Sequence, residues 1–309
     1  MKVLVTGGAG FIGSNIVRSL LEDGHEVVVL DNLHTGNRKN LAGLDLTVVE
    51  GSVSDILELR DRIGGVDGIF HQGVFSSSPM YRKDPFLVAE ALKGMIALLE
   101  FARGAGAPVV FASTSSLYNG LEPPHREDMI PLVTDYYTEA RYAMERIAEL
   151  YWKLHGVRTV ALRYFSIYGP HEEYKGKYAN IVSQFLWDLA EGKAPVIFGD
   201  GSQTRDFVFV EDVVRANRLA MDRLRSGRIE FDVFNVGTGR NVSFNEVIRM
   251  LNAALGKDIQ PEYVPNPIKN YVAHTKADTS KAERVLGFRA KVSLEEGIRK
   301  LIDYYGQKG

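Results

Sequence analysis

A doubly wound α/β fold, with helices on both faces of a parallel sheet, is the architecture the sequence predicts. Three observations carry it. Short apolar runs alternate with helix-length amphipathic stretches through the first half of the chain. The first run leads into glycines at 7, 10 and 13 and then into a helical pattern. The second run ends on Asp31, 18 positions past Gly13, close to the ~20 at which a ribose-binding acid follows such a turn.

Each element follows in order. The run Lys2–Val5 reads as a buried strand, and Ile12, Ile16, Val17, Leu20 and Leu21 form one face of the next helix. Between them Gly7 permits the tight turn, Gly10 lets the backbone approach phosphates, and Gly13 lets helix and strand pack closely. The free N–H groups and dipole at the helix start attract an anion. Glycine spacing also occurs in ordinary strand-to-helix turns. The N-terminal position, the second strand and Asp31 together select a dinucleotide site. Asp31 favours NAD over NADP, because a carboxylate accepts from a free 2′-hydroxyl and repels a 2′-phosphate. Arg38 is the nearby cation that could soften that choice, although a loop arginine is ordinarily solvated.

Further strands are expected at Glu26–Leu30, Leu46–Glu50, Gly68–His71, Pro108–Ser113 and Arg158–Arg163. The helical stretches Pro85–Arg103 and Tyr136–His155 carry apolar residues around more than one face. One face of each meets the sheet. The other is expected to meet a second copy in a homodimer, the alternative being C-terminal segments of the same chain. Beyond Gly169, turn-rich pieces such as YGPHEEYKGKY and PNPIKNY are mixed with helices at Ala179–Glu191, Val210–Arg225, Ser243–Leu255, Thr279–Val285 and Ser293–Tyr305. The strand Phe231–Gly237 is expected to return to the main sheet. The expected organisation is a nucleotide-binding Rossmann domain over 1–168, with a returning segment near 205–240. A smaller α/β domain over 169–309 is expected to bind mainly substrate.

The composition of the 309 residues, 45% hydrophobic and 25% charged, suits a large core. A net charge of −2 gives no pull toward nucleic acid or an anionic membrane. With no cysteine there are no disulfides and no thiolate catalysis. The start runs straight into a strand and no apolar run is long enough to span a bilayer. The expectation is a cytoplasmic protein.

The chemistry is expected at strand ends. The fifth strand closes on Ser113 and Thr114, where open α/β sheets bind ligands, so their hydroxyls can touch cofactor or substrate. Further on, Tyr137 and Arg141 are four apart and share a helical face. A phenol has a reference pKa of ~10, and a fixed cation favours its ionised form, bringing a general base into range.

These residues carry a resemblance that spans nearly the whole chain. TGGAGFIG, DNL at Asp31–Leu33, the STSSLY strand end, the Tyr137 helix, RYFSIYGP, GDGSQTRDFVFVEDV, FNVGTG and KADTSKAERVLGF together resemble the extended short-chain dehydrogenases/reductases of the nucleotide-sugar epimerase and dehydratase group. The front half is similar to the UDP-glucose 4-epimerases. The back half, in GPHEEYKG and NYVAHTKAD, looks closer to the ADP-glycero-manno-heptose 6-epimerases. The resemblance implies a redox-neutral epimerisation of a nucleotide-diphosphate sugar. Hydride leaves a sugar carbon, is held on NAD, and returns to the other face of a keto intermediate.

By family position Tyr137 is the base and Thr114 hydrogen-bonds the reacting oxygen. Lys175 takes the place of a second acid/base. Gly7, Gly10, Phe11, Ile12 and Gly13 match the pyrophosphate turn. Asp31 and Asn32 match ribose contacts, and Val53 matches a backbone contact to adenine. Arg205 matches the arginine that grips the sugar-nucleotide diphosphate, and Tyr271 a nucleotide-side contact. The chain also departs from the pattern. Arg141 replaces the usual lysine, keeping the charge but forcing its contacts to the nicotinamide ribose to rearrange. Ser166 stands for the asparagine of RYFN on the substrate side. Ser52 stands for the acid after the third strand, and Gln72 for an apolar group beside the cofactor. A 4,6-dehydratase is a second reading, opposed by Ser115 and Ser116 where an Asp-Glu pair would follow Thr114. A dinucleotide-binding sensor that has lost catalysis is a third.

Overall fold

The computed structural model describes residues 1–267 and 271–306. The Ile268–Asn270 part of the turn-rich PNPIKNY stretch lies outside the described residues, whereas Tyr271 is within them. In chain order the strands are β1 (Lys2–Thr6), β2 (Glu26–Asp31), β3 (Thr47–Glu50), β4 (Gly68–His71), β5 (Val109–Thr114), β6 (Thr159–Tyr164), β7 (Ser166–Tyr168), β8 (Val196–Phe198), β9 (Thr204–Arg205), β10 (Phe207–Phe209), β11 (Phe231–Val236), β12 (Val242–Ser243) and β13 (Glu262–Val264). The helices are α1 (Phe11–Glu22), α2 (Arg60–Ile63), α3 (Ser78–Lys83), α4 (Leu87–Ala105), α5 (Tyr136–His155), α6 (Ile181–Ala190), α7 (Val210–Arg225), α8 (Phe244–Leu255), α9 (Ser280–Leu286) and α10 (Leu294–Gly306).

Seven strands form one parallel sheet in the order β11-β6-β5-β4-β1-β2-β3. The expected return of the 231–237 strand is therefore seen at one edge, where Phe231 pairs with Thr159. Alternate side chains of each strand go to opposite faces. Val3, Val5, Val27 and Val29 pack with Ile16 and Val17 of α1 and Val213 of α7. Leu4, Val28 and Leu30 pack with Met95 and Leu98 of α4 and Met144 of α5. Both faces are covered, which is why these strands read as continuous apolar runs. A third apolar cluster joins α6, α8 and α10 around Phe185, Leu251 and Leu301.

The fold bears out the expected class, with some element boundaries moved. β2, β5 and β6 each run one residue further than expected, so Asp31, Thr114 and Tyr164 end their strands. α4 begins at Leu87 rather than Pro85, because Asp84 accepts the Phe86 N–H and holds the entry as a turn. α5 starts at Tyr136 on a capping box. Asp135 accepts the Thr138 N–H at 2.8 Å and the Thr138 hydroxyl receives the Asp135 N–H. This fixes Tyr137 at the second helical position. The short strands β7 to β10, β12 and β13 had no periodic signal to find.

One buried ion pair ties α5 to the sheet. Arg163 on β6 donates from Nε and Nη2 to Glu145 at 3.0 and 2.7 Å, and from Nη1 to the Tyr118 hydroxyl at 2.9 Å. The two side chains are 4% and 5% exposed. A Glu145→Ala variant leaves the guanidinium buried and unpaired, and is expected to lose ~3–5 kcal/mol of stability. Urea unfolding of both proteins measures it.

Candidate active site

A single deep cavity at the carboxyl ends of the sheet strands brings most of the expected residues together. At its floor lies the glycine turn. Gly7 has φ +68°, and a Cβ there would come within 2.6 Å of Gly73 N, so only glycine fits. A Cβ on Gly13 would sit 2.1 Å from Gly7 O. The close packing keeps the start of α1 open toward the cavity. Gly10 is its N-cap, no side chain caps it and no acid occupies its first turn. The early N–H groups therefore lack intrahelical acceptors, as a pyrophosphate site requires. The Phe11, Ile12 and Gly13 backbone borders the same space.

Asp31 lies beside this turn, 7% exposed. Its Oδ2 accepts the Ala9 N–H at 2.9 Å and its Oδ1 the Leu33 N–H at 2.8 Å. Burial pushes its carboxyl up, and the Leu33 and Ala9 hydrogen bonds pull it back. Each oxygen keeps acceptor capacity for a ribose hydroxyl. Asn32 lines the cavity while its Oδ1 accepts the His34 N–H. Arg38 does not reach toward a phosphate here. It is exposed and paired with Glu50. Val53 opens a short 3-10 turn capped by Ser52, so its own N–H has no intrahelical acceptor and borders the cavity. These features fit a dinucleotide.

The reacting end is built from β4, β5 and α5. Tyr137 is 9% exposed, and its hydroxyl makes no hydrogen bond among the described residues. Thr114 caps the turn after β5, and its Oγ1 accepts the Ser116 N–H at 3.1 Å. Its own proton is thus left to donate into the cavity. Ser113 also borders the space, but its hydroxyl is committed to the buried Glu145. Gln72 is held between the Tyr164 hydroxyl and Asn217, both at 3.3 Å.

Arg141 sits where the sequence placed it, with its guanidinium carbon 5.2 Å from the Tyr137 ring centroid. Its partners were not legible. Nη1 donates to Ala112 O at 2.8 Å and Nη2 to Phe75 O at 2.9 Å, while Nε is buried without a partner. It takes part in no ion pair among the described residues. A buried cation without a counterion dominates this end of the site.

His71, at the end of β4, shows the effect. Its pKa is lowered to about 3 by burial and by the charge of Arg141. Its Nδ1 pairs with the Thr6 hydroxyl at 2.7 Å, which also accepts the Gly73 N–H. Its Nε2 is buried without a partner.

Lys175 enters the cavity from the segment after β7. Its ammonium lies 3.3 Å from Glu172 Oε1 and 5.4 Å from the centroid of the Phe11 ring, at the glycine turn. Glu172 is fully buried and also accepts the Asn180 N–H and the Ser183 hydroxyl. The i, i+3 spacing of Glu172 and Lys175 was the available sequence signal for this pair. Ser166 does not line the cavity, although Phe165 and Ile167 on either side do. Arg205 and Tyr271 also lie outside its lining. They form a separate group, with the Arg205 guanidinium 5.3 Å from the Tyr271 ring and 5.5 Å from that of Phe244. Arg205 Nη1 donates to Thr204 O and Ala273 O.

Fold and cavity together define a dinucleotide-dependent enzyme of the extended short-chain dehydrogenase/reductase class. Residues 3–237 match the model of the NAD dependent epimerase/dehydratase family, and the chain belongs to that family. It is 34% identical to the UDP-glucose 4-epimerase of Mycolicibacterium smegmatis, over 100% of this chain and 99% of that one. Among solved structures it is similar to a UDP-glucose 4-epimerase from Thermotoga maritima with UDP-glucose. The TM-score is 0.91, with 34% identity, covering 100% of this chain and 99% of that one. A Thermus thermophilus UDP-glucose 4-epimerase complex with NAD aligns with TM-score 0.88 and 32% identity, covering 99% of each chain.

The neutral state of His71 has a consequence for stability. The folded site resists protonation down to about pH 3, whereas the unfolded chain takes up the proton near 6.5. The unfolded state therefore binds more protons between these values, and stability falls as pH falls through that window. A His71→Asn variant is expected to show a shallower decline from pH 6.5 toward 3, measured as urea midpoints against pH.

Proposed function

We propose that this enzyme is an NAD-dependent nucleotide-sugar epimerase that inverts a carbinol carbon by oxidation and return of hydride, with a UDP-hexose of the UDP-glucose type as substrate. The observation that carries the reading is the convergence in one cavity of an open helix start, Asp31, the unengaged Tyr137 hydroxyl and the buried Arg141 charge. The similarity to UDP-glucose 4-epimerases over the full chain supports the substrate class.

When bound, NAD supplies a reversible hydride acceptor. The α1 start holds its pyrophosphate, Asp31 and Asn32 its adenosine ribose, and Val53 its base. Tyr137 removes the hydroxyl proton of the sugar at the phenol oxygen and later gives one back. Thr114 donates to the reacting sugar oxygen. Arg141 supplies fixed positive charge beside the phenol and clamps the Phe75 segment to β5. Lys175, held by Glu172, is the second acid/base. Arg205 and Tyr271 take the nucleotide side of the substrate, while Ser166 lies outside the cavity that takes its sugar. Residues 1–168, with the returning 205–240 segment, serve as the cofactor unit. Residues 169–309 serve mainly as the substrate unit, which the separate cluster of α6, α8 and α10 supports. The alternative is an ADP-heptose-type 6-epimerase, to which the chain is no more similar than to the 4-epimerases. The absence of an acidic pair after Thr114 opposes the dehydratase.

We also read the protein as a cytoplasmic homodimer. Leu150 and Leu154, one turn apart on α5, are 53% and 69% exposed, and Ile96 on α4 is 43% exposed. Such a paired-helix face suits a four-helix contact. Among the described residues no helix is long and apolar enough to cross a membrane.

Three outcomes follow. Tyr137→Phe is expected to lower kcat by ~10²–10⁴-fold with NAD affinity retained, and full turnover would remove Tyr137 as base. Lys175→Met is expected to lower kcat and leave NAD affinity intact; lost affinity with kcat kept would assign the ammonium to the dinucleotide. NADP is expected to bind more weakly than NAD by roughly tenfold or more, as like charges a few ångström apart repel by ~1–4 kcal/mol. Competition binding checks the last.

A further inference from the structure

The adenosine end of the cavity carries a carboxylate that the function above does not use. Glu90, in the first turn of α4, lines the cavity beside Val53 and Ser54. The Ser54 hydroxyl donates to its Oε1. Its Oε2 has no hydrogen-bond partner among the described residues. The nearby cation, Lys93, is paired with Asp55 instead. Gly94, one turn further along α4, faces the same turn with room for a side-chain carbon. A Cβ there would lie 3.6 Å from Ser54 Oγ and 3.7 Å from Val53 Cβ. Glu90, held by one hydrogen bond, thus shares the cavity wall with Val53.

A base lying beyond the ribose held by Asp31 meets two groups of opposite character. Val53 offers an N–H donor, which suits a ring nitrogen. Glu90 offers only acceptor lone pairs. Adenine presents a ring nitrogen beside an exocyclic amino group, and so satisfies both. Hypoxanthine presents a carbonyl where adenine has the amino group. That oxygen would face a carboxylate with no proton between them, and buried acceptors left opposed are disfavoured. Ser52 is too short to impose this choice from the other side, and its hydroxyl already accepts the Ser54 N–H at 3.3 Å.

We propose that Glu90 is the residue that makes the cofactor site specific for adenine, by accepting a hydrogen bond from its exocyclic amino group. The inference rests on the dinucleotide reading and adds the base contact to it. It gives a use to a carboxylate in the lining of a cavity that also accepts an anionic pyrophosphate.

The test is equilibrium competition between NAD and nicotinamide hypoxanthine dinucleotide on the full chain, for wild type and Glu90→Gln. Wild type is expected to prefer NAD by roughly 10- to 100-fold, the range for a hydrogen bond to a charged acceptor. Glu90→Gln is expected to lower the ratio by about tenfold, because an amide can turn its NH₂ toward the hypoxanthine oxygen. Equal binding by wild type, or an unchanged ratio in Glu90→Gln, overturns the proposal. Should Glu90→Gln fail to fold, Glu90→Ala is read in the same competition, and an unchanged NAD preference there overturns the proposal, because the Val53 N–H alone can disfavour the protonated ring nitrogen of hypoxanthine. If wild type binds neither dinucleotide, the cofactor reading falls and this inference with it. If NAD binds and supports turnover while the ratio is one, Glu90 alone is misassigned.

Discussion

Everything in this molecule depends on how closely three backbone segments approach at the head of the sheet. Gly7, Gly13 and Gly73 come so near that side chains on them would overlap backbone atoms at 2.1–2.6 Å for the first two and 2.9 Å for the third. That approach joins β1, α1 and the segment after β4 into one rim. It leaves the start of α1 without a cap, so its amides attract negative charge. The same rim places His71 and Asp31 in the cavity wall.

The second constraint is a charge that the protein does not neutralise. Arg141 is buried, gives its terminal nitrogens to Ala112 O and Phe75 O, and has no acidic partner. Lone buried cations are unfavourable unless something anionic arrives or forms nearby. The neighbouring polar groups are arranged to tolerate it. His71 stays neutral, and burial pushes Tyr164 up to about 12, so its phenol is kept protonated next to Gln72 and Asn217. Among the described residues, two phenols near that cation have unengaged hydroxyls: Tyr81 is sealed in the core, and Tyr137 borders the cavity. In a lysine's place, the planar guanidinium also braces the Phe75 segment, a structural role an ammonium could not fill with two fixed bonds.

The strand and helix order, the glycine turn and Asp31 were legible because they are local patterns with a known period and spacing. Tyr137 and Arg141 were legible as neighbours because a helix fixes what lies four residues apart. What Arg141 touches was not, because Phe75 and Ala112 come from other elements and offer only carbonyls. His71 gave no signal beyond ending an apolar strand. Glu172 shows in the sequence only by its i, i+3 spacing from Lys175, although burial and three donors make it the anchor of Lys175. Arg205 and Tyr271 were expected on the substrate's nucleotide side. The structure pairs them with each other, outside the dinucleotide cavity, which is how a substrate-side group on β9 and its neighbours would be separated from a cofactor-side one.

The central claim is that hydride leaves and returns to one carbon inside a closed cycle, with protons alone passing through Tyr137. Converting the sugar nucleotide in heavy water and recording the product by NMR tests this directly. The account predicts inversion with the original hydrogen retained at the inverted carbon and no deuterium incorporated there. Deuterium at that carbon would mean inversion by deprotonation, and would contradict it.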